Sequence, residues 1–245
     1  MIYVYDGAFE GLLTLFSVAR ESGLPPRDIA TGFPACDDLF CETAFVVTDH
    51  ERAVSLAGEV RTHISSGALK TFHRAFLADS PGREVRLWSY LALGWRVGGM
   101  LDAMVAHDYV LPVHRLAKAV MSEAHRMKGF VRFRELRDGF YYAPLEPLHD
   151  ILPLIGRHFA DRFHDQHWLI HDLRRRKALI HDASRQRWLL TSITLEGPAE
   201  FSRREAEVQA LWRCYFEEVG VAERRNLRLQ KGKVPLRYRG QMVEF

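Results

Sequence analysis

Residues 129–182 read GFVRFRELRDGFYYAPLEPLHDILPLIGRHFADRFHDQHWLIHDLRRRKALIHD, and their pattern decides the fold. Phe130 to Leu136 and Phe140 to Ala143 are expected to form two strands, joined by a type I′ turn at Asp138-Gly139. In the first, Val131 and Phe133 alternate with Arg132 and Arg134, which sets the two arginines on one face. His149 to Phe163 follow as a helix that Pro153 starts or bends. Trp168 to Asp172 and Ala178 to His181 then make a hairpin around Arg174, Arg175, Arg176 and Lys177. Strand-strand-helix-strand-strand beside a helical first half predicts an α+β architecture.

Upstream, Ile2 to Tyr5 form a short strand, and Asp6-Gly7 turns the chain into a helix over Ala8 to Arg20. Phe9, Leu12, Leu13 and Phe16 recur at helical spacing and face the core. No complete glycine-rich nucleotide loop follows that turn. A further short strand lies near Thr43 to Val47. Glu51 to Met127 read as helical, with breaks near Gly67, Ser80 to Gly82, and His107 to Pro112. Leu87, Tyr90, Leu91, Gly94, Trp95 and Gly98 alternate in size and allow two helices to approach closely. Val113, Leu116, Ala117, Val120, Ala124 and Met127 make another apolar face, opposite Lys118, Ser122 and His125.

Downstream, Arg187 to Leu195 add a strand closed by Gly197-Pro198. Ser202 caps a helix into which Glu205 reaches back, with Val208, Leu211, Trp212, Tyr215 and Phe216 as its buried side. The softest boundary is near residue 129. It separates a mainly helical region with short strands, 1–128, from an α+β region with a basic arm, 129–245, the two packed as one unit.

With 245 residues and 47% apolar side chains the chain can bury a sizeable core, and its formal charge of +3 means that any basic function rests on local clustering. Cys36, Cys41 and Cys214 are odd in number and lack Cys-x-x-Cys spacing, so a disulfide framework and a structural zinc site are not expected. Reduced thiols and a cytoplasmic location follow. Asp6 and Glu10 interrupt the apolar run a secretory segment needs, and Arg86, Arg96 and Asp102 interrupt the longest apolar helical stretch, which argues against a membrane span.

The sharpest functional signal is ERRNLRLQKGKVPLRYRGQMVEF, Glu223 to Phe245. Arg224, Arg225, Arg228, Lys231, Lys233, Arg237 and Arg239 come without an intervening acid, a signature for nucleic acid or an acidic partner. Leu227, Leu229, Val234, Leu236 and Tyr238 punctuate the charges, so the stretch reads as an anchored arm in which Tyr238 is a stacking face or a packing handle. A second cluster, His125, Arg126, Lys128, Arg132 and Arg134, lies at a helix-to-strand junction and serves either an anion or internal ion pairs. The turn Arg174, Arg175, Arg176 and Lys177 adds a third.

Ile170-His171-Asp172 recurs ten residues later as Ile180-His181-Asp182, and a hairpin that gathered them would make a cluster suited to proton transfer or phosphate cleavage. Polar caps on two strand ends explain the same residues. His125, as a lone proton donor, is the other candidate for acid–base work. His158, His164 and His167 beside Asp161 and Asp165 do not match zinc-site spacing, and no metal site is expected.

Six segments carry a resemblance: YDGAFEGLLT (5–14), EAHRMKGFVRFREL (123–136), ILPLIGRHFADRF (151–163), QHWLIHDLRRRKALIHD (166–182), LWRCYFEEVGVAERRNLRLQ (211–230) and VPLRYR (234–239). Through them the chain resembles the domain-of-unknown-function 4130 family, described as probable DNA-metabolism proteins. The resemblance implies a companion of a radical-SAM-type DNA-modification or repair protein, with a uracil-DNA-glycosylase-like domain as a further associate. It implies no catalytic residue set. The chain lacks the Cys-x-x-x-Cys-x-x-Cys ligands of a radical-SAM cluster, so any iron–sulfur cluster and S-adenosylmethionine would belong to the partner, with no cofactor expected here. The expected role is an accessory protein that holds DNA or another nucleic acid. The alternative is an enzyme that processes DNA or a nucleotide through the His/Asp group.

Overall fold

The computed structural model describes residues 1–32, 42–195, 197–221 and 226–245. The fold is α+β, in two compact units, Met1–Met121 and Ser122–Phe245.

In the first unit, β1 (Ile2–Tyr5) is buried throughout and lies between two parallel neighbours, β2 (Asp28–Thr31) and β3 (Thr43–Phe45). Parallel pairing needs a crossover, and α1 (Phe9–Ser22) supplies it between β1 and β2. Its Leu12, Leu13 and Phe16 are buried, and the Phe9 ring lies 5.7 Å from Phe72 and 5.2 Å from Phe76. Asp6 stabilises the turn after β1 by accepting from the Ala8 N–H and the Thr48 hydroxyl. The strand β2 has no counterpart in the sequence reading, because four residues after a Pro-Pro pair carry too little pattern to identify it.

The described remainder of this unit is largely helical: α2 (His50–Glu59), a π-helical turn (Val60–Ile64), α3 (Ser66–Phe76), α4 (Arg83–Val97) and a 3-10 turn (Gly98–Ala103). Asp49 and Ser65 cap α2 and α3 by accepting the N–H of Arg52 and Ala68. Gly94 is the close-approach glycine: a Cβ there would lie 2.5 Å from Ile64 Cδ1 and 2.9 Å from Leu101 Cδ2. Gly98 instead ends α4 with a φ of 58°. The long helix α5 (Leu111–Phe130) spans the division between the units.

The second unit is built on a mixed sheet in the order β4 (Arg134–Glu135), β5 (Tyr141–Leu145), β6 (Trp168–Asp172), β7 (Lys177–Asp182), β8 (Arg187–Ser192). β5 and β6 are parallel and joined through α6 (Leu152–Arg162), whose first turn holds Pro153; every other pair is antiparallel. Phe133, Phe159 and Trp168 pack their rings 5.5–6.3 Å apart in its core.

Two local expectations change here. The first strand shrinks to Arg134–Glu135, because α5 continues through Phe130 and the Val131 N–H still bonds back to Met127. The turn is not type I′. Gly139 has a φ of 84° and its N–H reaches the Leu136 carbonyl, but Asp138 is not left-handed, whereas type I′ needs both central residues so.

Among the described residues three helices follow, α7 (Arg203–Glu218), α8 (Leu227–Lys233) and α9 (Leu236–Arg239). Ser202 caps α7 by accepting the Glu205 N–H, but Glu205 does not close the reciprocal box. Its carboxylate accepts the Glu135 N–H instead, which ties α7 to β4. The expected buried side of α7 is the clearest reversal: Val208, Leu211, Trp212, Tyr215 and Phe216 are all exposed, and Glu205 is the buried residue of this helix. No helix among the described residues is long and apolar enough to cross a membrane.

Candidate nucleic-acid interface

The basic arm is fastened at its far end. Tyr238 and Met242 are its buried residues among those described, and the Tyr238 hydroxyl donates to Glu123 Oε1 at 2.5 Å. Glu123 is 1% exposed on α5 and accepts two further hydrogen bonds, from the N–H of Leu148 and of His149, both at 2.8 Å. Burial, and then the facing Glu123 carboxylate, push the Tyr238 phenol up to about 12. Tyr238 is thus the packing handle, and its face is not open for a base. Glu123 heads the 123–136 segment without an expected role, yet its signal is in the sequence: an acid between Val120 and Met127, on the apolar side of α5.

Arg132 and Arg134 serve the same fastening. Arg132 donates from Nη2 to Glu244 Oε1 at 2.5 Å and from Nη1 to the Gly129 carbonyl at 2.8 Å, with its guanidinium 5.7 Å from the Trp212 ring centre. Arg134 donates to the Gln241 carbonyl at 3.3 Å and lies over Phe201. The two arginines of the expected anion clamp therefore turn inward to the C-terminal segment. Burial raises the Glu244 carboxyl, but the hydrogen bonds and charge of Arg132, a backbone hydrogen bond and the Trp212 N–H together outweigh it and leave the group below the usual glutamate range. A depressed folded value means the pair stabilises fully above the ordinary carboxylate range and loses that contribution as pH falls through the lowered value. Urea unfolding of Glu244→Gln against the parent should accordingly show a deficit at neutral pH that closes in acid.

What remains outward is α8. Arg228, Lys231 and Lys233 are exposed and form no ion pair among the described residues; Asn226 caps their helix by accepting the Leu229 N–H at 2.9 Å. Arg237 is exposed with its guanidinium 4.7 Å from the Tyr238 ring centre. Arg239 is half-buried, donating to the Val234 carbonyl and lying over Phe245. Arg224 and Arg225 lie outside the described residues.

The hairpin cations are largely engaged. Arg174 and Arg175 donate to the Leu148 carbonyl, Arg175 also to Pro147 O and to Asp172, and Lys177 pairs with Asp150 at 2.5 Å. Arg176, with a φ of 53°, faces solvent. Arg126 is half-buried with no partner for its Nε among the described residues. Lys128 is half-buried near His158, whose imidazole is held below its ordinary value by burial and then by Lys128 and Arg162.

The His/Asp group does not assemble. His171 is paired with Ala178 and His181 with Trp168, so the imidazoles sit three positions apart along the ladder, about 10 Å, and on opposite faces of the sheet. His171 is buried, with its Nδ1 3.1 Å from the Tyr142 hydroxyl, and burial holds its imidazole below the ordinary value. His181 stacks on Trp168 at 5.1 Å, with Nδ1 2.9 Å from the Gln166 carbonyl. Asp172 organises the turn after β6, and Asp182 accepts the Ser184 N–H in the next one. His125 is exposed on α5. No group of three or more metal-ligating side chains occurs among the described residues.

Residues 81–244 match a family model described as a domain of unknown function, DUF4130. The match takes in α4 onward and leaves the YDGAFEGLLT segment outside it. No curated protein and no solved structure matches the chain.

Proposed function

We propose that this chain, which belongs to the DUF4130 family, is a nucleic-acid-binding accessory protein that grips the phosphate backbone through α8. The observation that carries the reading is the division of labour within the arm. Tyr238, Arg239 and Met242 serve as anchors, while Arg228, Lys231 and Lys233 stand in solvent without a carboxylate partner among the described residues. Cations presented this way attract phosphate with little loss of internal structure, and they read charge rather than base identity.

The resemblance to companions of radical-SAM-type proteins supports placing this grip in DNA modification or repair. In that role the chain presents the strand, and the partner supplies the iron–sulfur cluster, S-adenosylmethionine and the reaction. The dispersal of the His/Asp group favours binding over catalysis as this chain's part, and the inward turn of Arg132 and Arg134 leaves that binding to α8.

The test is fluorescence anisotropy of labelled single- and double-stranded DNA over a salt series. The parent protein should bind at low salt, with log affinity falling linearly in log salt. Replacing Arg228, Lys231 and Lys233 together by Gln should weaken binding and lower that slope by roughly two to three, at about 0.7–0.9 for each phosphate no longer neutralised. An unchanged slope in a folded triple variant, or no binding by the parent at low salt, would defeat the proposal.

A further inference from the structure

The surface of α7 is at odds with a solvent-facing role. Leu211 is 70% exposed, Tyr215 58% and Val208 45%, at spacings of three and four residues that place them in one stripe. Trp212 and Phe216 lie around the helix from that stripe and lean on the C-terminal residues: Trp212 Nε1 donates to Glu244 at 3.2 Å, and the Phe216 ring is 5.6 Å from Phe245. Among the described residues the stripe itself stays open to water.

The closing charges of α7 are reversed as well. At its start the exposed Arg203 and Arg204 stand beside Glu205, which is buried and engaged by the Glu135 N–H, and ahead of the exposed Glu207, while Glu217 and Glu218 close the helix with no basic residue in the last turn, although a helix dipole favours cations there. Such a pattern weakens an isolated helix and suits an antiparallel neighbour with the same pattern. Arg204 and Glu218 lie seven residues before and after Leu211, two turns away in each direction, so they stand on the stripe at its two ends.

We propose that a second copy of this chain packs its α7 antiparallel on this stripe, about a two-fold axis at Leu211. Leu211 then meets its own counterpart, and each Arg204 faces the second copy's Glu218. The arrangement satisfies the rule for an isologous contact, in which one patch complements itself. The opposed dipoles and end charges act in the same direction, and Val208 and Tyr215 lose their water.

Light scattering and sedimentation of the full chain test this through charge swaps. The parent should be dimeric. Arg204→Glu should raise monomer helix stability, by improving the charge at the helix start, while weakening self-association at least about tenfold through like-charge contact. Glu218→Arg should weaken it comparably. Mixing these two folded variants should restore a dimer, because the acidic ends of one face the basic ends of the other. A monomeric parent across the accessible concentrations overturns the proposal and leaves the stripe to a different protein. Dimers that survive both swaps place the interface elsewhere, and a mixture that stays monomeric overturns the antiparallel register.

Discussion

Glu123→Ala is expected to destabilise the Ser122–Phe245 unit by about 3–5 kcal/mol, because one substitution strands three hydrogen-bond donors. The Leu148 N–H, the His149 N–H and the Tyr238 hydroxyl all converge on this carboxylate, which is itself nearly inaccessible to water. Each unsatisfied donor costs about 1–3 kcal/mol, so even partial relaxation leaves a large loss. Glu123→Gln should fall short of this while remaining clearly destabilising, since the new amide aims hydrogen at one of the donors. Tyr238→Phe removes a hydrogen bond to a charged acceptor and should cost about 1.5–3 kcal/mol.

Urea unfolding gives these magnitudes, and the double variant separates the shared contact from the rest. Hydrogen exchange over residues 234–245 supplies the local readout, with Tyr238→Phe and Glu123→Ala both raising exchange there. A Glu123→Ala protein within about 1 kcal/mol of the parent, with an unchanged C-terminal segment, would show that the carboxylate does not fasten the arm.

How much of this is legible in the sequence depends on whether the deciding contact is local. Trp168–Asp172 is legible to the residue because the run is short, apolar and bounded by a dense turn. The Ser202 cap is likewise a three-residue relation. Arg132 and Glu244 are far apart in sequence, so nothing near Arg132 distinguishes an internal ion pair from a free clamp. The α7 periodicity marks an apolar stripe correctly but cannot say whether this chain or another covers it. Glu123 is readable in principle as an acid on an apolar face, although its three donors come from two distant segments.

Asp172→Ala is expected to cost about 2–4 kcal/mol, a loss that belongs to a turn and not to an active site. The Asp172 side chain is fully buried, and its Oδ1 accepts the N–H groups of Arg174 and Arg175, both at 3.0 Å, while Oδ2 meets Arg175 Nη1 at 3.0 Å. These bonds set the chain reversal that ends in left-handed Arg176 and fix the β6–β7 register. That register has a consequence for the repeated Ile-His-Asp triplets. Because His181 is opposite Trp168, an odd number of positions from His171, the alternation of a strand sends the two imidazoles to opposite faces; a loop one residue longer or shorter would have reversed that parity. Asp172→Asn keeps Oδ1 but turns an amide toward the Arg175 guanidinium, and should lose about 1–3 kcal/mol. If a His/Asp cluster ran a reaction, Asp172→Asn would leave stability intact and abolish turnover of labelled nucleic acid. The expected result is the opposite: lowered stability in urea, with nucleic-acid affinity and its salt slope unchanged in the folded fraction.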